Sequence, residues 1–410
     1  MPAPWVVGGG FLSFGLVVGF TITALPFLLT HAGVPLYKVA GVSAIVMSPT
    51  FWAFLLQPIM DTGLTRRAYC WLTAVIAAIG LGAGLILLSP GNLAVTTVLL
   101  TLAELAMVLY SGAISGWTAE FTPDERRGIV SGWTNVFNLG GGAVGSLAIM
   151  SLARRVPRPE LAAGMAVVIV LGVLPTAWFP APGRSAFRFR QIFTQAMQAI
   201  WRAAKTPECL TGFAIFLAPA SAEAAINLFS GMGPDFHTAA TTVIWVTGAG
   251  CAVTASLGAL VGGYLADRLP RGVLYVTAGM ITAVMTLAMA FAPRVPAVFI
   301  AGALFYNGMA GVVYAAFNAV GYQIVGRKTA VASTQLSLFS ASTNFAIVYM
   351  TWADGQGFKH FGTRGLLLTD GLASLLAGAL LLVFLGRRLA RRPGAEAEPM
   401  PAQAGAGREA

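Results

Sequence analysis

Apolar runs with few or no charges, each long enough to cross a lipid bilayer, dominate this sequence. A membrane-spanning helix needs about 20 apolar residues, and the 410-residue chain supplies twelve such runs. They fall near 5–30, 38–60, 68–88, 93–121, 127–152, 161–180, 208–230, 238–266, 272–291, 296–322, 329–353 and 365–386. Only 10% of the residues are charged and 57% are hydrophobic, whereas a soluble domain carries about 25% charged residues. That balance excludes an ordinary water-soluble enzyme, a disordered chain, a nucleic-acid-binding module and a small disulfide scaffold. Cys70, Cys209 and Cys251 are scattered, with no metal-ligand or disulfide spacing. The first run carries no Lys or Arg before it and is too long for a signal-peptide core. It reads as a retained first helix.

The net charge of +10 belongs to the loops, where Lys and Arg set orientation. With the N-terminus inside, eighteen of the cations fall on the inner side and seven on the outer. Both termini are therefore expected in the cytoplasm. The longest polar break, 181–207, separates an N-terminal six-helix bundle (1–180) from a C-terminal one (208–386). Within it Phe189, Ile192, Phe193, Met197, Ile200 and Trp201 recur at helical spacing, with Arg188, Arg190, Arg202 and Lys205 flanking them. This predicts a short amphipathic helix in the cytoplasmic interface. The tail, 387–410, is rich in Ala, Gly, Pro and Glu, and is expected to be disordered.

The two halves echo each other. Asp61-Thr-Gly-Leu-Thr-Arg66-Arg67 follows the second run, and Asp267-Arg268-Leu-Pro-Arg271 follows the eighth. Tyr110-Ser-Gly in the fourth run is matched by Tyr306-Asn-Gly in the tenth. Duplications of this kind are usual in transporters, with the substrate site between the halves. The expected fold is all-α, with twelve transmembrane helices in two six-helix pseudo-repeats.

These features together resemble the major facilitator superfamily, over essentially residues 5–386. Its loop motif, G-x-x-x-D-R-x-G-R-R, is similar to Gly263-Tyr-Leu-Ala-Asp267-Arg268-Leu-Pro270-Arg271. The first copy has Gln57 in place of the motif's Gly and its Arg pair one residue later. A finer resemblance is to the AmpG-like permeases, which import muropeptides with protons and belong with acetyl-CoA transporters. It rests on Trp117-Thr-Ala-Glu120-Phe-Thr-Pro123-Asp-Glu125-Arg-Arg127-Gly128. Where that branch carries acids in its fourth helix, this chain has Ser111 and Ser115.

The resemblance implies a permease of the bacterial inner membrane that takes up a small organic solute with protons by alternating access. Siderophore uptake and drug or metabolite efflux are the alternatives. A non-transporting receptor or scaffold with the same fold is the alternative from another class. The gating set it implies is Asp61, Arg66, Arg67, Trp117, Glu120, Arg127, Asp267, Arg268 and Arg271. Each loop Asp is expected to dock on the other half: Asp61 near Thr329 to Ser333, and Asp267 near Arg127 and Gly128.

An ionisable group at membrane depth costs about 3 kcal/mol by insertion scales and is a functional candidate by default. Glu104 lies near the midplane, about eleven residues into its run at 1.5 Å per residue. Glu223 lies somewhat toward the outside, between Pro219 and Asn227. Either could carry the coupled proton, or could simply cross-link helices as a neutral acid. Asp370 is expected at the outer interface.

Polar stripes mark further cavity candidates: Ser111 and Ser115 in the fourth run, Asn135 and Asn138 in the fifth, and Asn227 in the seventh. The tenth adds Asn307, Tyr314 and Asn318, and the eleventh Asn344. Such side chains must face a cavity or another helix, because lipid offers no hydrogen bond. Gly141-x-x-x-Gly145 is equally suited to close helix packing. No Lys or Arg sits within the core of any run, which disfavours phosphorylated sugars. No P-loop, dinucleotide fingerprint or H-E-x-x-H motif occurs. The chain is therefore expected not to be an enzyme. It needs no cofactor or metal, binds no nucleic acid, and acts as a monomer on a small-molecule substrate and protons within a lipid bilayer.

Overall fold

The computed structural model describes residues 1–61, 63–123, 130, 133–153, 155–181, 207–325 and 332–389, with Thr194, Gln198 and Trp201 besides. Ten segments are long and apolar enough to cross a membrane. The first six are α1 (Pro4–His31), α2 (Leu36–Leu55), α3 (Arg66–Ile86), α4 (Pro90–Thr118), α5 (Trp133–Leu152) and α6 (Arg158–Trp178). After a broken seventh segment come α8 (Ala240–Ala266), α9 (Arg271–Phe291) and α10 (Pro296–Gly321). The last, Leu338–Gly386, has 49 residues, about twice what a bilayer needs. Its helical geometry fails at Phe361 and at Gly362, where φ is +62°. Only glycine adopts such a conformation at no steric cost, so the chain turns there and the segment is two spans, α11 (338–360) and α12 (363–386).

The remaining crossing, α7 (207–236), is interrupted. Pro207–Leu217 is α-helical, short 3-10 pieces follow from Pro219, and Phe229–Met232 resumes the helix. Pro219 has no N–H to donate to the preceding turn, and Glu223 has left-handed φ and ψ of 52° and 38°. Twelve crossings thus return the chain to the side on which it began. The helix expected over 208–230 is thus broken in its middle, and the eleventh helix continues beyond the expected end at 353.

Pro4 and Pro90 open α1 and α4, and Pro219 opens the 3-10 piece inside α7, each at a first or second helical position, where a missing N–H costs nothing. Thr65 caps α3, its side chain accepting from the Ala68 N–H at 3.3 Å. Glycines set helix separation. A Cβ on Gly19 of α1 would lie 2.3 Å from the Gly142 carbonyl oxygen of α5, and one on Gly311 of α10 would lie 2.0 Å from the Ala255 oxygen of α8. Backbones in such close contact gain dispersion energy that larger side chains would forbid. Ile79, Leu260, Val383 and Phe384 stay exposed on the outside of the bundle, as lipid-facing residues should.

The buried core is asymmetric. One apolar cluster runs from α1–α6 into the far part of the second half, through Leu228, Phe229, Phe236, Phe299 and Leu366. A second cluster, built on Phe216, Tyr275, Ala316, Val320 and Phe339, stays within the second half on the side of the termini. The halves therefore share a core on the face opposite the termini. On the terminal side the second half packs on itself. The predicted linker helix and the tail beyond residue 389 lie outside the described residues, apart from Thr194, Gln198 and Trp201, which are helical. Cys70, Cys209 and Cys251 are free and buried.

Candidate functional site

Contacts between the halves form a seal on the far face. The Ser230 hydroxyl of α7 donates to the Thr23 carbonyl of α1 at 2.7 Å. Gly355 of α11 faces α2 so closely that a Cβ there would lie 2.4 Å from that of Ala40. Lys359 stands over the Tyr37 ring, 5.8 Å from its centroid. Deeper along the same pair of helices, Asn344 donates to the Thr50 carbonyl at 3.1 Å and Phe51 meets Phe345 edge-on at 5.0 Å. Gly248 of α8 completes the seal against Leu147 of α5. Three one-turn π segments lie along these helices: Phe20–Ala24 in α1, Val136–Gly140 in α5 and Val246–Gly250 in α8. Such bulges concentrate at functional sites because they leave the regular backbone ladder locally broken.

Glu104 lies on α4 directly against the first of them. It is 2% exposed, and its Oε2 accepts from the Thr21 hydroxyl at 3.0 Å. The sole hydrogen-bond donor that reaches it among the described residues is thus neutral. One helical turn or more further on, Ser111 is half-buried and Ser115 exposed.

Glu223 sits at the interruption of α7, half-buried, with Oε1 accepting from the Thr282 hydroxyl at 3.0 Å. Asp370 is 2% exposed, which corrects the expected interfacial position: α7, α10 and α12 enclose it. The Tyr306 hydroxyl donates to its two oxygens at 3.3 and 3.4 Å and accepts from the Ala225 N–H at 3.2 Å. A third acid, Asp354 of α11, is fully buried beside them and interacts electrostatically with Asp370. Sequence reasoning passed over it, because an Asp beside the apolar run read as the start of a loop. Asn227, also fully buried, donates to the Thr351 hydroxyl at 3.0 Å, one turn before Asp354. The repeat tyrosines play parallel parts: Tyr110 donates to the Gly10 carbonyl of α1, and Tyr306 reaches α7.

The other polar candidates disperse. Asn307 is buried and donates to the Ala303 carbonyl of its own helix at 2.9 Å, whereas Tyr314 is 56% exposed. Asn318 donates to the Tyr314 carbonyl at 3.1 Å. Asn135 is exposed and Asn138 half-buried, while Gly142 and Gly145 of the same helix pack on α1. The tenth-helix stripe is therefore shared among three surroundings and does not line one.

On the terminal side, Arg66 pairs with Glu120 at 2.8 Å. Arg67 donates to the Phe179 carbonyl at 2.7 Å and stands 5.4 Å from the Trp117 ring centroid. Trp117 is buried and donates to the Pro180 carbonyl at 3.2 Å. These residues tie the ends of α3, α4 and α6 together. Asp267 is exposed, Arg268 stacks 3.9 Å over Tyr264, and Arg271 donates to the Ala266 carbonyl at 3.3 Å. Asp61 ends a 3-10 turn. Arg127, Gly128 and Thr329 to Val331 lie outside the described residues, as do the expected docking contacts. A cavity of about 910 Å³ opens elsewhere, between α1 and α6, lined by Trp5, Leu12, Phe137, Leu171, Pro175 and Trp178. No charged side chain lines it, so it offers nothing to a proton.

Residues 211–406 match the Major Facilitator Superfamily. Among solved structures, a POT family transporter in complex with a thioalcohol-conjugated peptide superposes with a TM-score of 0.74 at 10% identity, covering 94% of this chain and 96% of that one. A D-xylose–proton symporter gives 0.71 at 14% identity, covering 92% and 96%. The nucleoside transporter NupG gives 0.69 at 14% identity, covering 93% and 99%. The chain has the major facilitator fold. No curated protein matches it. Within that fold Glu104 lies inside the first half, between α1 and α4, whereas the far seal joins the two halves.

Proposed function

We propose that this chain is a secondary active carrier that moves a small organic solute with protons by alternating access. The observation that carries this reading is Glu104: an acid buried between α1 and α4, held by a neutral hydroxyl at 3.0 Å. An ionised carboxylate deprived of water and of a cation is costly, and taking up a proton removes that cost. Such a group can bind a proton in one arrangement and release it where water returns. The far seal supplies the second requirement, a set of contacts that one arrangement makes and the other breaks. A D-xylose–proton symporter among the structural neighbours supports the same reading.

For the solute we favour an AmpG-like substrate, a muropeptide, imported across the bacterial inner membrane with both termini cytoplasmic. The support is the Trp117 to Gly128 run, of which Trp117 and Glu120 occupy the clamp at the end of α4. Radiolabelled anhydro-muropeptide and a ferric siderophore, offered separately to proteoliposomes, test this. An inward proton gradient should accelerate muropeptide uptake, and a protonophore should abolish the acceleration. Accumulation of the siderophore alone would overturn the substrate. Uptake indifferent to the gradient would overturn proton coupling.

A further inference from the structure

Around the interruption of α7, the second half holds three carboxyl groups that the Glu104 reading does not use, Asp354 and Asp370 buried and Glu223 half-buried. Glu223 and Asp354 each interact electrostatically with Asp370. Among the described residues, no donor reaches either oxygen of Asp354 or Oε2 of Glu223. Nor, among them, does one reach a different kind of group, the side-chain oxygen of the fully buried Asn227. Asn227 stands one turn from Glu223 on α7 and is joined through Thr351 to the Asp354 turn of α11. All four orphaned atoms are acceptors. A buried acceptor needs a donor, and an amide oxygen cannot supply its own. The missing species is therefore one that brings hydrogen-bond donors.

A metal ion would also satisfy acceptors, but among the described residues no group of three or more acidic, His or Cys side chains is spaced to hold one. Among the described residues, the other titratable groups that interact with the three acids are tyrosines: Tyr306 of α10 with all three, and Tyr275 of α9 with Glu223. Tyr349 of α11 donates to the Leu217 carbonyl. At the far end of α7, Asp235 accepts from Thr363 and interacts with Arg294, which Arg364 also faces. Across the seal α2 contributes Tyr37, with Lys359 at the rim above it. Phenols are weak acids, so the protons that come and go belong to the carboxyls.

Two of the three acids are wired to the seal. Asp354 immediately precedes Gly355, the residue in closest contact with Ala40 and Tyr37 of the other half. Glu223 lies seven positions before Ser230, whose hydroxyl binds Thr23 of α1. We propose that Glu223, Asp354 and Asp370 form a second protonation centre, separate from Glu104, whose protonated state holds the far seal closed. This extends the proton-driven reading above and rests on it. A proton on Asp354 makes a donor of a carboxyl group neither of whose oxygens is hydrogen-bonded among the described residues. Losing the protons leaves like charges in one buried pocket, and their repulsion drives α7 and α11 apart from α1 and α2. The carrier then binds more than one proton in each cycle.

Spin labels at Asn92, in the opening turn of α4, and Ala239, between α7 and α8, report the seal from its two sides. Both positions are exposed, and Cys70, Cys209 and Cys251 are first replaced by Ala. In purified full-length protein the inter-label distance should lengthen as pH rises. Glu104→Gln should keep that response. Asp354→Asn and Glu223→Gln, which mimic the protonated acids in size, should each weaken it and favour the short distance. Monodisperse elution of each variant shows that it is folded. A folded Asp354→Asn or Glu223→Gln protein with the full pH response would overturn the proposal. So would loss of the response in Glu104→Gln, or its absence in the parent protein. Proton coupling itself is judged separately, by gradient-driven uptake.

Discussion

Arg66 and Glu120 meet at 2.8 Å, joining the start of α3 to the end of α4. The Glu120 side chain is 54% exposed and that of Arg66 19%, so water screens the pair from one side. Exposed pairs of this kind contribute about 0–1 kcal/mol. A double-mutant cycle with Arg66→Ala and Glu120→Ala, read by thermal unfolding in detergent, should give a coupling in that range. A coupling several times larger would mean that the clamp is insulated from solvent.

Replacing Glu104 by Gln keeps an oxygen for the Thr21 hydroxyl, so the variant should fold normally. Gradient-driven uptake should fall steeply, while counterflow exchange survives, because exchange need not return a proton-free carrier. Thr21→Val removes the donor instead and should destabilise the protein by about 1–3 kcal/mol. Full gradient-driven uptake in Glu104→Gln would remove this acid from the coupling path.

The tight approach of α11 to α2 makes Gly355→Val a wedge. Its Cβ would begin 2.4 Å from that of Ala40, and overpacking of this kind costs about 1–3 kcal/mol. The cost falls only on the arrangement in which the seal is closed, so the equilibrium should shift toward opening by about 5- to 150-fold. Thiol labelling of Thr23→Cys should speed up correspondingly. Unchanged labelling would show that α2 and α11 do not part during the cycle.

Asp267 is exposed in the present arrangement. Asp267→Asn should therefore leave thermal stability within about 0.5 kcal/mol. If the acid docks on the first half when the carrier turns outward, the same variant should slow transport and shift the population toward inward-facing. Asp61→Asn should act likewise but less strongly, its motif being the more degraded copy. Normal rate and normal accessibility in Asp267→Asn would leave the loop acids only a role in balancing nearby arginines.

The spans were legible because a bilayer imposes one demand on every crossing, a long apolar run. Glu104 was legible for the same reason, as a lone acid deep in the fourth run. Asp354 was not: the α11 helix continues past it to the turn at Phe361 and Gly362, but a charged residue next to an apolar run looks identical when it begins a loop. The position of Asp370 was misread because depth along a helix does not reveal which neighbours enclose it. Pro219 stands in the seventh run, but the left-handed turn at Glu223 depends on packing partners far away in sequence. Separation of Asn307 from Tyr314 likewise depends on how α10 lies against α8.

The interruption of α7 also bears on how the protein is made. Its N-terminal helix is only 11 residues long, too short to leave the translocon as an independent span. Besides its local 3-10 turns, the backbone at the break finds partners on later segments: the Ala225 N–H on Tyr306, and the Pro219 carbonyl on Ser374. Irregular backbone at membrane depth is tolerated only where protein encloses it. Biogenesis of the second half must therefore run partly backwards, with α7 reaching its final form after the ribosome has delivered α10 and α12.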